Sequence, residues 1–128
     1  ECPRSSRVGS VRLESSFLPA PLTGSLYLRV PSRRLPDLSA ELHSGSLGLV
    51  LHGRTIDSKG RIGVALESLP DIPLSRAILT LAGGRRGILV NSRSLCRGVG
   101  TVTARFAAHS GKRRRLRVPV GAGGCHRS

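Results

Sequence analysis

A chain of 128 residues carries a formal net charge of +14 and is poor in large side chains, with one Tyr, two Phe and no Trp or Met. Its length suits one domain or part of a larger protein, and the core must come from Leu, Val, Ile and Ala, which excludes an aromatic-rich helical interior. No run approaches the ~18 to 20 apolar residues of a membrane span, and an apolar fraction of 38% in regular patterns excludes a disordered chain.

The chain opens Glu1-Cys2-Pro3, with no initiator Met and no signal peptide. It reads as cut from something longer, and an odd number of cysteines in a secreted protein points to an absent partner. Pro19 and Pro21 break the chain ahead of a first alternating run, Leu26, Leu28 and Val30. After the prolines at 31 and 36 the same rhythm resumes in Leu38, Ala40, Leu42 and then Leu47, Leu49, Leu51. Asp57-Ser58-Lys59-Gly60 has the composition of a short hairpin loop, with Gly60 free to take positive φ. Ile62, Val64, Leu66 and Ala77, Leu79, Leu81 follow, separated by Leu69-Pro70-Asp71-Ile72-Pro73, which cannot lie in a central strand. A Gly83-Gly84-Arg85-Arg86-Gly87 turn leads into Ile88-Leu89-Val90, expected to be a short apolar strand. Val102, Ala104, Phe106 and Leu116, Val118, Val120 complete the series around a second hairpin candidate, His109-Ser110-Gly111-Lys112.

Period two puts alternate side chains on opposite faces of a strand, so each run predicts one buried face. No window of similar length holds a helical period free of Gly and Pro. The expectation is an all-β chain: an antiparallel β-sandwich, Ig-like or Greek-key, of about eight to nine short strands with little or no helix. No linker is long enough to divide it, so residues 1–128 are expected to form a single domain. Leu28, Leu49, Val64 and Leu79, central in their runs, are expected in one core.

Charge is unevenly placed. All seven acidic residues lie at or before Asp71, while twelve basic residues lie between Arg76 and Arg127. Such asymmetry favours a polyanion as partner, whether nucleic acid or an acidic cell-surface polymer. Nineteen of the twenty-one basic residues are Arg, a bias that GC-rich coding also produces. The candidate contacts are Arg85 and Arg86 in the glycine turn and Lys112, Arg113, Arg114, Arg115 and Arg117 in the densest basic run. In a strand, Arg113, Arg115 and Arg117 would share one face, where they would also protect the sheet from edge-to-edge aggregation. Tyr27 is the one aromatic expected to be exposed, so base stacking has little support.

Other chemistry is weakly signalled. Cys96 and Cys125 bracket the last hairpin, and a disulfide between them would contribute on the order of 3.5 kcal/mol in the loop-entropy account. Free thiols are the bland alternative, and metal binding is disfavoured because His126 is adjacent to Cys125 rather than suitably spaced. No Gly-x-Ser-x-Gly occurs, and Gly45-Ser46-Leu47-Gly48 and Asn91-Ser92-Arg93-Ser94 are ordinary serine-rich turns. Asp57, Glu67 and Asp71 could meet as a carboxylate or calcium site but more often cap turns, and His43 and His52 fall on polar faces. The glycine turn lacks the GK[ST] ending of a phosphate loop and precedes no helix. No catalytic, cofactor-binding or metal set is assigned.

Several blocks together carry a resemblance. Cys2-Pro3, Pro21-Leu22-Thr23-Gly24-Ser25-Leu26-Tyr27-Leu28-Arg29, Leu35-Pro36-Asp37-Leu38, Gly53 to Ser58, Leu69 to Ser75 and Gly83 to Cys96 stand in the order of PLxGPVYLR, LPDL, GRIDS, VPDxPVSKFxL and GGKKGLLVNSxxLC. This order, closed by a final Cys, resembles the C-terminal part of a large family of secreted actinobacterial cell-envelope proteins of unassigned activity. Thr55, inserted in the GRIDS block, and Arg85-Arg86 in place of Lys-Lys depart from it. The resemblance implies export, β-rich modules and a partner for Cys2 upstream; it carries no catalytic residues. The functional expectation is a non-enzymatic extracellular or cell-envelope structural or adhesion module, secreted or at the cell surface. The alternative is a polyanion- or nucleic-acid-binding protein that uses the basic C-terminal half. Self-association through an uncovered β-edge is a further expectation.

Overall fold

Alternation dominates the local structure, and the strands are joined by turns whose residues suit them. A computed structural model of the chain describes residues 3–30, 34–67, 69–98 and 100–125; Cys2 and His126 lie outside them. The described residues form eight strands and almost no helix: β1 Arg7–Ser15, β2 Leu22–Arg29, β3 Asp37–Ser44, β4 Leu47–Ser58, β5 Arg61–Leu66, β6 Leu74–Leu81, β7 Thr101–Ala107 and β8 Arg113–Pro119. Two compact units result, Glu1–Ile88 and Leu89–Ser128.

The first unit is a curled six-stranded sheet in the order β5-β4-β3-β2-β1-β6, antiparallel at every pairing. Two tight turns set its register. Gly45, at φ 60, opens the loop between β3 and β4. Between β4 and β5, Lys59 at φ 52 and Gly60 at φ 73 take the paired left-handed conformation of a two-residue hairpin turn. On one face, Leu13 pairs with Leu22, Leu26 with Ala40 and Ala40 with Leu51. These residues, with Val8, Leu38 and Leu42, are the buried core, centred on Leu22 and the fully buried Leu42. Ser39, its register mates Tyr27 and His52 on either side, is buried from the opposite face. No buried side-chain polar atom among the described residues lacks a partner.

Strand β1 falls outside the alternating runs because its rhythm is broken. The register slips between Arg7 and Gly9, so Val8, Val11 and Leu13 face the core without strict period two. Other expectations need correction. Leu28 and Leu49 pack partly buried against the core, but Val64 and Leu79 are exposed. Val64 and Leu79 lie on the core side of the terminal strands β5 and β6, where alternation selects a face but nothing among the described residues covers it. Val30 lies beyond the end of β2 and is almost wholly exposed. Ile88-Leu89-Val90 forms no strand: Gly84–Arg86 makes a single 3-10 turn and the exposed apolar triplet beyond it has no pairing strand among the described residues.

The second unit contains a two-stranded antiparallel ribbon, β7 with β8. Gly111, at φ 86, lets its loop reverse, and the Ala108 N–H donates to the Lys112 carbonyl at 2.8 Å. At the open end the Val120 N–H donates to the Gly100 carbonyl at 2.7 Å. Cys96 before β7 is bonded to Cys125 after β8, with Cα atoms 5.6 Å apart, within the ordinary range.

Candidate polyanion-binding face of the C-terminal hairpin

The register of the ribbon sorts its side chains into two unlike faces. Val102 opposes Val118, Ala104 opposes Leu116 and Phe106 opposes Arg114, which makes one face largely apolar. On the other face Thr103 opposes Arg117, Arg105 opposes Arg115 and Ala107 opposes Arg113. Successive same-face residues of a strand lie about 7 Å apart. Arg113, Arg115 and Arg117 therefore form a row of guanidinium groups along β8, with Arg105 beside its centre. All four are exposed. The tip of the ribbon is an open groove lined by Arg105, Phe106, Ala107 and Arg113 to Arg115.

Like charges set directly opposite across an antiparallel pair repel, and no Asp or Glu follows Asp71 in the chain. No carboxylate side chain of the second unit can neutralise the Arg105–Arg115 pair. An external anion can, by accepting the forked N–H donors of several guanidinium groups at once. Charge is thereby concentrated on a flat track flanked by Thr103 and Ala107, whose small side chains leave the row accessible. No aromatic side chain shares this face, since Phe106 belongs to the opposite one.

Of the residues singled out in the sequence, the ribbon unites Arg113, Arg115 and Arg117. Arg114 projects to the other face, and Lys112 stands in the turn. Arg85 and Arg86 occupy the 3-10 turn of the first unit and are exposed there. Sequence reasoning misses Arg105, which stands alone between Ala104 and Phe106; the signal that finds it is register, because a tight turn at 108–112 brings position 105 opposite 115.

The polar groups of the first unit answer one another. Arg29 donates from Nη1 to His52 Nδ1 at 2.9 Å, so this imidazole nitrogen accepts. Arg54 donates from Nη2 to Glu67 Oε1 at 3.0 Å, and the Thr55 N–H donates to Asp37 Oδ1 at 3.3 Å. Arg29, Asp37, His52, Arg54 and Glu67 line a shallow groove on the polar side of the sheet. Ser44 donates its hydroxyl to the Ala20 carbonyl, tying the turn before β2 to β3, and Ser75 of β6 donates to the Glu14 carbonyl of β1 beside the register shift between those strands. Asp57, Glu67 and Asp71 form no metal-holding group, nor do any three or more His, Cys, Asp or Glu among the described residues. No described helix is long and apolar enough to cross a membrane. Comparison with known proteins finds no family model, no curated protein and no solved structure that matches the chain.

Proposed function

We propose that the protein is a non-enzymatic extracellular or cell-envelope module that adheres to acidic polymers through the arginine face of its C-terminal hairpin. One observation carries this reading: Arg105, Arg113, Arg115 and Arg117 share one exposed face in a unit without any Asp or Glu. A solvated surface made only for solubility gains nothing from placing arginines directly opposite one another, whereas a polyanion turns that repulsion into attraction.

The compartment belongs to the same proposal. Disulfides persist in oxidising surroundings, and the Cys96–Cys125 bond supports a place outside the cytoplasm, in keeping with the resemblance to secreted actinobacterial envelope proteins. The finer fold assignment is also proposed: the curled sheet is one layer of an antiparallel sandwich. Its core-side residues Ile62, Val64, Leu66 and Leu79, between 44% and 60% exposed, lie where a second layer would cover them.

Nucleic acid is the second polyanion that this face fits, since a two-stranded ribbon can follow a phosphate backbone. Retention on immobilised heparin and on DNA tests the reading. Both columns are expected to hold the chain at low salt and release it as salt rises, because bound counterions are exchanged. The triple variant R113Q/R115Q/R117Q should elute early, while R85Q/R86Q should elute close to the parent. Equal elution of the two variants would remove the hairpin face as the contact.

A further inference from the structure

The basic hairpin leaves another surface unexplained, at the opposite end of the chain's charge distribution. Strand β5 ends the six-stranded sheet and pairs only with β4. Its outer backbone edge is therefore open among the described residues. Exposed edges recruit further strands unless a proline, a bulge or a charged side chain blocks them. Between Ile62 and Leu66 there is no proline and no charge, and Ile62, Val64 and Leu66 are all exposed.

We infer that β5 is a self-pairing edge, which joins two copies of this chain antiparallel across a two-fold axis through Val64. The sequence around Val64 is complementary to its own reversal. With Val64 opposite itself, Ile62 faces Leu66 of the second copy and Gly63 faces Ala65. Arg61 faces Glu67 of the second copy, whose carboxylate already accepts from Arg54 Nη2 of its own chain through Oε1 and has its other oxygen to offer, and the symmetry repeats each contact. Parity then places Ile62, Val64 and Leu66 of both copies on one face, as a continuous apolar ladder that extends the core side of the sheet. Gly63, Ala65 and the two ion pairs fall on the other. The register thus satisfies shape, hydrophobicity and charge together, and a slip by one residue would set Ile62 or Leu66 against small or charged side chains on the wrong face.

The other end of the sheet does not share this property. Strand β6 is preceded by Pro73, carries Arg76 and contains no acidic residue. No antiparallel self-pairing of β6 gives its cation a partner. The two-fold partner of β5 is a second copy of this chain because Arg61 and Glu67 supply each other's complement in that register alone. Edge pairing over six residues makes a small interface, and a chain of charge +14 repels its copy, so the dimer is weak and strengthens as salt screens the repulsion.

Sedimentation of the 128-residue chain from ~0.05 to 1 M salt, at concentrations up to about 1 mM, tests this. A monomer–dimer equilibrium that tightens with salt is expected. R61E, which sets a carboxylate opposite Glu67 of the second copy, should raise the dimer Kd roughly tenfold, and R61E/E67Q, which removes the facing carboxylate but leaves Arg54 an amide oxygen to bond, should recover part of that loss. Under oxidising conditions V64C should form a symmetric intermolecular disulfide, and I62C should not, because that residue lies about 13 Å from its own mate in this register. A strict monomer at all salts would overturn the inference. So would open-ended growth, which indicates β5-to-β6 contacts, or equal cross-linking of V64C and I62C. Far-ultraviolet circular dichroism on each variant confirms that the strands remain.

Discussion

At Gly24 the fold depends on a missing side chain. Gly24 lies in β2 between Val11 of β1 and Leu42 of β3, and a Cβ built there would overlap the carbonyl oxygen of Glu41. Gly9 stands in the same relation to the Thr80 carbonyl oxygen. Backbone atoms cannot rotate away as a side chain does, so Gly24→Ala is expected to destabilise the protein by ~3 kcal/mol or more, measured by denaturant unfolding. Leucines offer a second test. Leu42 has no exposed surface and Leu79 is 53% exposed, so Leu42→Ala should cost about 3 to 5 kcal/mol and Leu79→Ala less than about 1 kcal/mol. Comparable losses at both positions would show that the second layer proposed for the sandwich is already in place over β6 in the 128-residue chain itself. Neither glycine announces its role in the sequence, where each is one of sixteen; close approach of two backbones is a property of pairing that composition does not carry.

Among the elements, strands with unbroken alternation are legible and the others are not. Leu38 to Leu42 reads directly as β3 and Leu47 to Leu51 as the first part of β4, because side-chain parity is local; β4 runs on to Ser58, so of the expected loop Asp57 to Gly60 only Lys59-Gly60 is the turn. Strand β1 is hidden by its register slip, and Ile88-Leu89-Val90 imitates a strand but pairs with none among the described residues. The exposure of Val64 and Leu79 was equally illegible, since parity assigns a face while sheet order decides whether anything lies over it. Three of the four residues of the arginine face are legible in the same way: period two aligns Arg113, Arg115 and Arg117, whereas Arg105 requires the register. A two-stranded ribbon alone is marginal in water, so the Cys96–Cys125 bond is expected to hold it. Cys96→Ser with Cys125→Ser should remove about 3.5 kcal/mol of stabilisation from the loop it closes. Hydrogen exchange is the suitable probe: amides of β7 and β8 should lose protection while those of β2 and β3 keep theirs.

For the whole molecule, charge separates the two units. The acidic residues all belong to the first, where Arg12–Glu14 and Arg54–Glu67 form ion pairs at 3.1 and 3.0 Å. The second sets Arg105, Arg113, Arg115 and Arg117 on one side of a ribbon whose other side is largely apolar, so the adhesion proposed for it would rest chiefly on charge. Counterion release gives that claim a number: each single-strand phosphate neutralised contributes about 0.7 to the slope of log Kobs against log salt. The decisive measurement is this slope for single-stranded DNA of two unrelated sequences, with the parent chain and with R105Q/R113Q/R115Q/R117Q. The account predicts equal affinity for both sequences and a slope smaller by about 3 in the quadruple variant. An unchanged slope, or a strong preference for one sequence, would contradict it.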